Sequence, residues 1–597
     1  MHHEVNKTTE KTPIDRWHFR SMTNAKGYTY INAYSTAWDP VKKKSRIVAH
    51  VYGGRLCNDG SIKFSAGFKQ RFPQYAEGTW YWGADKAPIT EEQYRSEFPA
   101  KPGPKPQKEE EDDDINLSDI RQVGLTWAAE QFALRSGMLS DLQAVFGKQT
   151  ARKILDLAIY TLCKSGSMDA YKVWCESVYL TDAQYMSGQR ISELLPEITC
   201  SHWDEFFKRR HEYKTRQALE QCKDPTQKVS PLHYALDNTT ISTYSKTIKD
   251  ADHGNAKQDP ELEQINYTLV CDQKTGEVVY AHTYNGSIND VTELKTILFN
   301  MKNAGFDLSY VVLVTDRGYS SLMNVQKMIN LQLRYVQGVR IIEGSIKQKF
   351  DKFKDALDEV SFYDPELRVY ARSFGEPWAQ DTSQGRLHHR FFLHLYRIPH
   401  LKDQYIQDLT LHADTIVAIK NGKSTKALSP ELWNKYKSYV MEVERAGKKM
   451  WVRNNAAISE AVRYEGCFVI RSNEVDDPFE ALRCYRQRGL VELDFNQFKN
   501  QVQADRLRCT EASYRGKLFI STLATSIRMM MLRAVKTNET PKNKLPNDSL
   551  NNLFERLSLL YAERRHDANA WVCRTITKKQ RDMFALLGLD LPPKILR

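Results

Sequence analysis

The sequence predicts an α/β protein in which a mixed sheet with packed helices is interrupted by a β-rich insertion. A small β-rich module and an α-helical domain precede it. Three observations lead there. Between residues 229 and 341, strand-period and helix-period segments alternate. The run Leu308–Thr315 is continuously apolar, as in a strand buried on both faces. A long polar tract follows, and then a second buried-strand run and two long helical patterns complete the same pattern.

Composition sets the outer limits. At about 100–200 residues per domain, 597 residues allow roughly three to five domains. Apolar residues make up 41% and charged residues 27%, with a mean hydropathy of −0.58. No apolar run is expected to approach the ~18 residues of a membrane helix. Met1-His2-His3-Glu4 opens a polar start, so no secretory signal is expected. Ten scattered cysteines without a C-x-x-C pair argue against a zinc ribbon or a disulfide scaffold and for a reducing compartment. Lys and Arg number 86 against 74 Asp and Glu, a net charge of +12 that favours polyanionic partners.

Residues 1–100 alternate aromatic and polar positions, as in Tyr28–Tyr34 and Arg46–Tyr52 around the polar turn Asp39–Lys44, and read as β-hairpins. Residues 101–114 are a proline-rich and then acidic tether that packs no core. Residues 115–228 are helical, with apolar residues three and four apart in Gly124–Leu139, Ala151–Cys163 and Gln189–Leu195. Asp169–Glu176 and Ser187–Pro196 together are a candidate helix-turn-helix.

Residues 229–341 read as a strand at Leu232–Asn238, a hairpin of Gln264–Cys271 and Glu277–Thr283, and a helix at Val291–Ala304 behind an Asn289-Asp290 cap. The strand Leu308–Thr315, a helix at Tyr319–Leu331 and the strand Leu333–Val339 follow. Residues 342–460 are an inserted module with strand-like pieces at Val369–Arg372, Phe391–Arg397 and Thr415–Ile419. Residues 461–540 supply the strand Cys467–Arg471, one long helix Pro478–Asn500 and a second helix Ser513–Lys536. Residues 541–597 form a short helical tail.

Three acids stand where chemistry is expected. Asp237 follows the apolar strand His233–Leu236, Asp316 follows Tyr310–Thr315, and Glu492 lies in the late helix. Aspartates at the carboxyl ends of neighbouring strands face the crevice where open α/β sheets bind ligands. Three gathered anions repel unless hard cations such as Mg2+ or Mn2+ neutralise them, and two such ions clamp the oxygens of an in-line phosphoryl displacement. At about 100° per residue, Tyr485, Arg488, Glu492 and Lys499 fall within roughly 60° of one another, beside an apolar face of Val491, Phe495 and Phe498. On that stripe a glutamate can hold a metal while arginine, lysine and the tyrosine hydroxyl grip phosphates.

Tyr485–Lys499 fits Y-x2-R-x3-E-x6-K at every fixed position. It resembles the YREK signature of insertion-sequence DDE transposases of the IS-four type group. Asp237 in Leu236-Asp237-Asn238-Thr239-Thr240 resembles that family's first catalytic aspartate, Asp316 in Val314-Thr315-Asp316-Arg317-Gly318-Tyr319 the second, and Glu492 the third acid. The resemblance covers about residues 229–536. It implies a ribonuclease H-like catalytic core, with Asp237, Asp316 and Glu492 ligating two Mg2+ (or Mn2+) ions per active site. The implied reaction is metal-dependent cleavage at transposon ends and strand transfer of the 3′ hydroxyl into target DNA. Tyr485, Arg488 and Lys499 would bind phosphates near the cut. The implied partners are double-stranded DNA (terminal inverted repeats and target) and a second copy in a synaptic homodimer. No membrane partner is implied, and the implied place is a prokaryotic cytoplasm, on the nucleoid when bound to DNA.

Downstream, Lys499, Arg506, Arg508, Arg515, Lys517, Arg528, Arg533 and Lys536 face only Asp505 and Glu511, which suits a DNA backbone. Arg506, Arg508, Arg515 and Lys517 are the DNA contacts expected from it. His388, His389, His394 and His400 are expected on the surface or facing DNA, since neighbours on a strand point opposite ways. Trp451 is expected in a core, with base stacking as its rival role. Two other readings stay open: a catalytically idle DNA-binding derivative, and a structure-selective nuclease on the same fold.

Overall fold

The computed structural model describes residues 17–98 and 118–596, apart from residues 26, 58, 165, 223–228, 255–258, 342–343, 354–356, 358, 383–384 and 566–568. The proline-rich and acidic tether expected at 101–114 lies outside the described residues. The chain divides into two compact units, residues 1–115 and 116–597.

In the first unit six strands pair in chain order: β1 (Trp17–Thr23), β2 (Thr29–Asp39), β3 (Lys44–Leu56), β4 (Ser61–Phe64), β5 (Trp80–Trp82) and β6 (Pro88–Thr90). The Asp39 side chain caps the β2–β3 turn by accepting from the Val41 and Lys42 amides. Two short helices join the sheet, α1 (Ala66–Arg71) and α2 (Glu91–Glu97), capped by Ser65 and Thr90. Trp17, Ala33, Phe68 and Phe72 form its core.

The second unit opens with β7 (Ser118–Gln122) and the helices α3 (Gly124–Arg135), α4 (Met138–Phe146), α5 (Lys148–Lys164), α6 (Tyr171–Ser177), α7 (Gly188–Leu194) and α8 (Cys200–Gln221). The expected helix-turn-helix does not form. Helices α6 and α7 are separated by the whole stretch Val178–Ser187, not by a three- or four-residue turn. They bury Tyr171, Trp174, Ile191 and Leu194 in the core.

The sheet that follows is built on β8 (Leu232–Thr243), with β9 (Gln264–Asp272) and β10 (Val278–Asn285) antiparallel outward from it. After α9 (Asp290–Asn303), β11 (Val311–Thr315) pairs parallel to the other side of β8. After α10 (Leu322–Asn330), β12 (Arg334–Val339) pairs parallel to β11. All nine residues of β9 and all five of β11 are buried; in β11 this matches the apolar run Val311–Val314, whereas β9 also buries polar Gln264, Asn266, Thr268 and Asp272.

The insertion departs from expectation in two ways. It is mixed rather than β-rich: α11 (Gly344–Phe353) precedes the strands β13 (Tyr363–Asp364), β14 (Val369–Thr382) and β15 (Gly385–Arg397). Then come α12 (Pro399–Lys420), α13 (Pro430–Tyr436), the hairpin β16 (Val440–Arg445) and β17 (Lys448–Arg453), and α14 (Asn455–Ala461). Thr415–Ile419, expected as a strand, lies inside α12, where Ala413 and Ile416 pack inward with Leu409 at helical spacing. Nor is the long hairpin a separate sheet. The strand β18 (Cys467–Ser472) pairs with β12 on one side and β15 on the other, so β13–β15 extend the central sheet.

The expected single helix Pro478–Asn500 is three pieces: α15 (Pro478–Arg486), α16 (Gly489–Asn496) and a π-helical turn at Gln497–Gln501. The strand β19 (Arg506–Leu507) then joins the far end of β8. Helix α17 (Tyr514–Asn538) is long and apolar enough to cross a membrane by length and composition, contrary to the sequence reading, but 83% of that window is buried inside the protein. The tail is not purely helical. Besides α18 (Leu550–Ser558) and α19 (Lys578–Leu586) it holds β20 (Tyr561–Arg565), β21 (Trp571–Cys573) and β22 (Ile595–Leu596), which with β7 form a four-stranded sheet. No disulfide forms among the described residues.

Buried charge ties α8 to the hairpin β9–β10. Arg210, fully buried, donates to Glu277 at 2.7 Å and to Asp141 of α4 at 2.6 Å. Lys214 Nζ lies 2.7 Å from Glu277 and 3.1 Å from Asp272. Burial opposes the Glu277 charge, but Arg210 and Lys214 outweigh it and hold its pKa down at about 2. Removing one partner of such a cluster leaves uncompensated buried cations. Glu277→Ala is therefore expected to destabilise this unit by roughly 3–5 kcal/mol, read in urea denaturation. Because the folded pKa lies below the unfolded value, the Glu277 contribution is full above about 4.5 and lost as pH falls toward about 2. The acid unfolding midpoint of Glu277→Gln should lose this component, and an unchanged acid profile would contradict the assignment.

Candidate active site

The last residue pair between the parallel strands β8 and β11 is Leu236 with Thr315. Asp237 and Asp316 are the next residues on the two strands, so they stand side by side where the pairing ends. Asp237 does not terminate its strand as expected. β8 runs on to Thr243, still paired with β9. Asp316 does leave its strand and opens the short turn Arg317–Tyr319.

The third acid comes from the helix packed over this edge. Asp477 caps α15 by accepting from the Phe479 and Glu480 amides, with Pro478 in the first turn. The helix stops at Arg486 and restarts at Gly489, with Arg488 as the joint. From there the Arg488 guanidinium reaches all three acids. It is 3.3 Å from Asp237 Oδ2, 4.0 Å from Asp316 Oδ1 and 2.6 Å from Glu492 Oε1. The Tyr485 hydroxyl donates to Asp316 Oδ1 at 3.0 Å. Burial and the neighbouring Asp316 carboxylate raise the Tyr485 pKa, which keeps the phenol a donor. Burial opposes the Arg488 charge, but Asp316, Tyr485, Asp237 and Glu492 together raise its pKa.

Five of the expected residues thus meet: Asp237, Asp316, Glu492, Tyr485 and Arg488. Lys499 lies half-buried on the π-helical turn, where the 100° step that put it on the same stripe no longer applies. That turn is gripped by Arg528, which donates to Gln497 at 2.5 Å and to Gln501 at 3.3 Å. Arg528 is buried, and burial lowers its pKa to about 10, so it is no surface cation of the basic tract. Arg515 is paired too, with Asp250 at 2.9 Å and Glu511 at 3.5 Å. Asp250 and Asp259 are opposing acids that sequence proximity did not reveal; Asp259 lies 3.8 Å from Arg506. Exposed Arg506 and Arg508, with half-buried Lys517, line a groove of about 790 Å³ whose other wall includes Asp169 and Pro196.

The rival features resolve differently. Trp451 sits half-buried in the insertion's own core, edge-on to Trp433 at 5.6 Å and under Lys420. His394 is not on the surface: it is fully buried, meets Ser472 Oγ at 2.9 Å, and burial lowers its pKa to about 4. His400 is exposed and His389 half-buried, while the His388 side chain lies outside the described residues.

Sequence reasoning missed several neighbours. A cavity of about 810 Å³ opens beside the acids, and exposed Arg317 and Arg340 line it with Phe468 and Tyr464. Asp494 is fully buried under the site, where burial pushes its pKa well above the carboxylate range. The signal for it was present: Asp494 shares the apolar face of Val491, Phe495 and Phe498.

The donor set, two aspartates and a glutamate, suits a hard divalent cation. Among the described residues, however, no group of three or more His, Cys, Asp or Glu side chains is close enough to hold one. Arg488 lies between the carboxylates, so they fit such an ion in kind but not in their present spacing.

Residues 229–527 match the family model described as a transposase DDE domain. No curated protein matches the chain. One of the solved structures it resembles is a cryo-EM structure of the piggyBac transposase synaptic complex with hairpin DNA, at 11% identity over 73% of this chain and 76% of that one. Its TM-score of 0.31 is too low to bear on fold or function.

If Arg488 is the counter-charge of the three acids, removing it frees the carboxylates for a cation. Arg488→Ala is expected to bind Mn2+ at least about tenfold more tightly than wild type in titration calorimetry. It should also melt at a lower temperature in metal-free buffer. Equal Mn2+ affinities would contradict this role.

Proposed function

The chain belongs to the transposase DDE family, and from that premise we propose that it is a metal-dependent DNA transposase. It would cleave DNA at transposon ends and join the freed 3′ hydroxyl to target DNA. The observation that carries this reading is the convergence of Asp237, Asp316 and Glu492, from three distant segments, on one guanidinium. The strand order β10-β9-β8-β11-β12, with β8, β11 and β12 parallel, supports a ribonuclease H-like core around them.

Asp237, Asp316 and Glu492 would hold the divalent ions, Mg2+ or Mn2+. Such a pair, when bound, supplies the Lewis acidity that activates the attacking oxygen and stabilises the leaving one. The chain's own part is positioning and charge. Tyr485 orients Asp316 through its hydroxyl. Arg488 answers the carboxylates and is placed to pair with a phosphate when DNA arrives. Arg317 and Arg340 border the same cavity and offer further phosphate contacts. Arg506, Arg508 and Lys517 suit a stretch of DNA backbone away from the cut. Cutting two ends together calls for at least two copies, so the working form is proposed to be a homodimer on DNA.

Two measurements test this. Asp316→Asn and Glu492→Gln should each lower Mg2+-dependent nicking of end-bearing DNA at least about a hundredfold while end binding survives. A wild-type protein that binds DNA but never nicks it would favour the idle derivative, and hydrolysis without a joined product would favour a nuclease. Arg508→Ala and Lys517→Ala should each weaken binding across sequences and flatten the slope of log affinity against log salt by about 0.9. An unchanged slope in both would remove the groove from the DNA path.

A further inference from the structure

Gly338 lies in β12 one residue beyond the end of β11, opposite Ile470 of β18. Its backbone carries no left-handed φ, so the local conformation does not call for glycine. The space does. A methyl group there would come within 2.5 Å of the Tyr485 hydroxyl, 3.0 Å of Tyr485 Cζ and 3.0 Å of the Arg317 amide nitrogen. Non-bonded carbon and oxygen atoms do not approach to 2.5 Å, so one side has to move. The strand is held by its ladder to β18, and Arg317 N belongs to the turn that carries Asp316. The phenol, at the end of a side chain, is the part free to retreat.

We propose that Gly338 is a positioning residue: its missing side chain lets the Tyr485 phenol lie across β12 and hold the Asp316 carboxylate. The inference deepens the transposase reading and rests on it. The chain of contacts is short. Bare backbone at Gly338 admits the phenol, the hydroxyl donates to Asp316 Oδ1 at 3.0 Å, and the same oxygen faces Arg488 at 4.0 Å. Asp316 is one-third exposed, so without that donor its carboxylate is free to turn among rotamers. A carboxylate that has to be ordered by the cation binds it less readily than one already aimed.

The test is a double-substitution cycle on the full chain with Gly338→Ala, Tyr485→Phe and both together. Nicking of end-bearing DNA is followed against Mg2+ concentration, with wild type as the control. Gly338→Ala should raise the Mg2+ concentration for half-maximal rate by about tenfold, the scale of one hydrogen bond to a charged group. It should change the rate at saturating Mg2+ much less. In the Tyr485→Phe background the same substitution should cost less than about threefold, because the closest contact is relieved and the hydrogen bond it would break is already gone. Additive losses in the two backgrounds, or no effect of Gly338→Ala, would overturn the proposal. Wild type that does not nick at all would instead sink the transposase reading. Melting temperature in metal-free buffer is read alongside: Gly338→Ala should melt lower than wild type, recovery in the double variant upholds the clash with Tyr485, and no recovery refutes it.

Discussion

One guanidinium set among three carboxylates is the constraint from which the rest of the site follows. Like charges about 4 Å apart repel by roughly 4 kcal/mol even at an effective dielectric near 20. A fold that brings together acids from β8, from the end of β11 and from α16 therefore needs a positive charge at their centre. Arg488 supplies it, and the break between α15 and α16 at Arg488 puts the side chain there. The sheet then fixes the remaining geometry. Parallel pairing that ends at Leu236 and Thr315 presents two aspartates as neighbours without any loop to position them.

A second charged cluster sets this one in relief. Arg210, Lys214, Glu277 and Asp272 are buried, and they lock α8 to the hairpin β9–β10. Charges so enclosed stay where they are, because separating them strands each in a medium that solvates it poorly. The site cluster has the opposite gradient. Arg488 is 13% exposed, Asp237 23%, Asp316 36% and Glu492 59%. Its acids open progressively to water, where an incoming cation can compete for them. Buried cluster and open cluster share the same residue chemistry, and solvent access alone makes one a fastening and the other exchangeable.

Much of this was legible in the sequence, because period and burial go together. The apolar runs ending near Asp237 and Asp316 are strands since nothing else buries five consecutive β-branched and aliphatic residues so economically. The fixed spacing from Tyr485 to Glu492 survives the helix break, because Arg488 and Glu492 remain four residues apart within the restarted turn. What failed was long-range. The tail's strands build outward from β20, which pairs with β7 more than four hundred residues earlier, so a local reading saw only helices around them. Thr415–Ile419 carries β-branched residues that suit a strand, yet its inward positions repeat at helical spacing once Leu409 and Ala413 are counted. Asp250 and Asp259 neutralise arginines some 250 residues downstream, which no count of neighbouring charges detects. Gly338 left no signal of its own, since its role depends on a tyrosine from another element.

The choice of arginine at position 488 follows from the same geometry. One nitrogen of the guanidinium, Nη1, faces Asp237, while the other, Nη2, faces Glu492 and Asp316. A planar fork with five donors can span carboxylates on three sides at once, whereas a lysine ammonium is a single point that closes on one or two. Arginine also keeps its charge in a half-buried setting where a lysine can lose it. The guanidinium is equally matched to a phosphate's oxygens. A residue that satisfies three carboxylates is therefore chemically prepared, on the transposase reading, to exchange them for a phosphate, and its withdrawal would leave negative charge suited to a divalent ion. The Tyr485 hydroxyl, lying across the bare backbone of Gly338, keeps one of those carboxylates aimed.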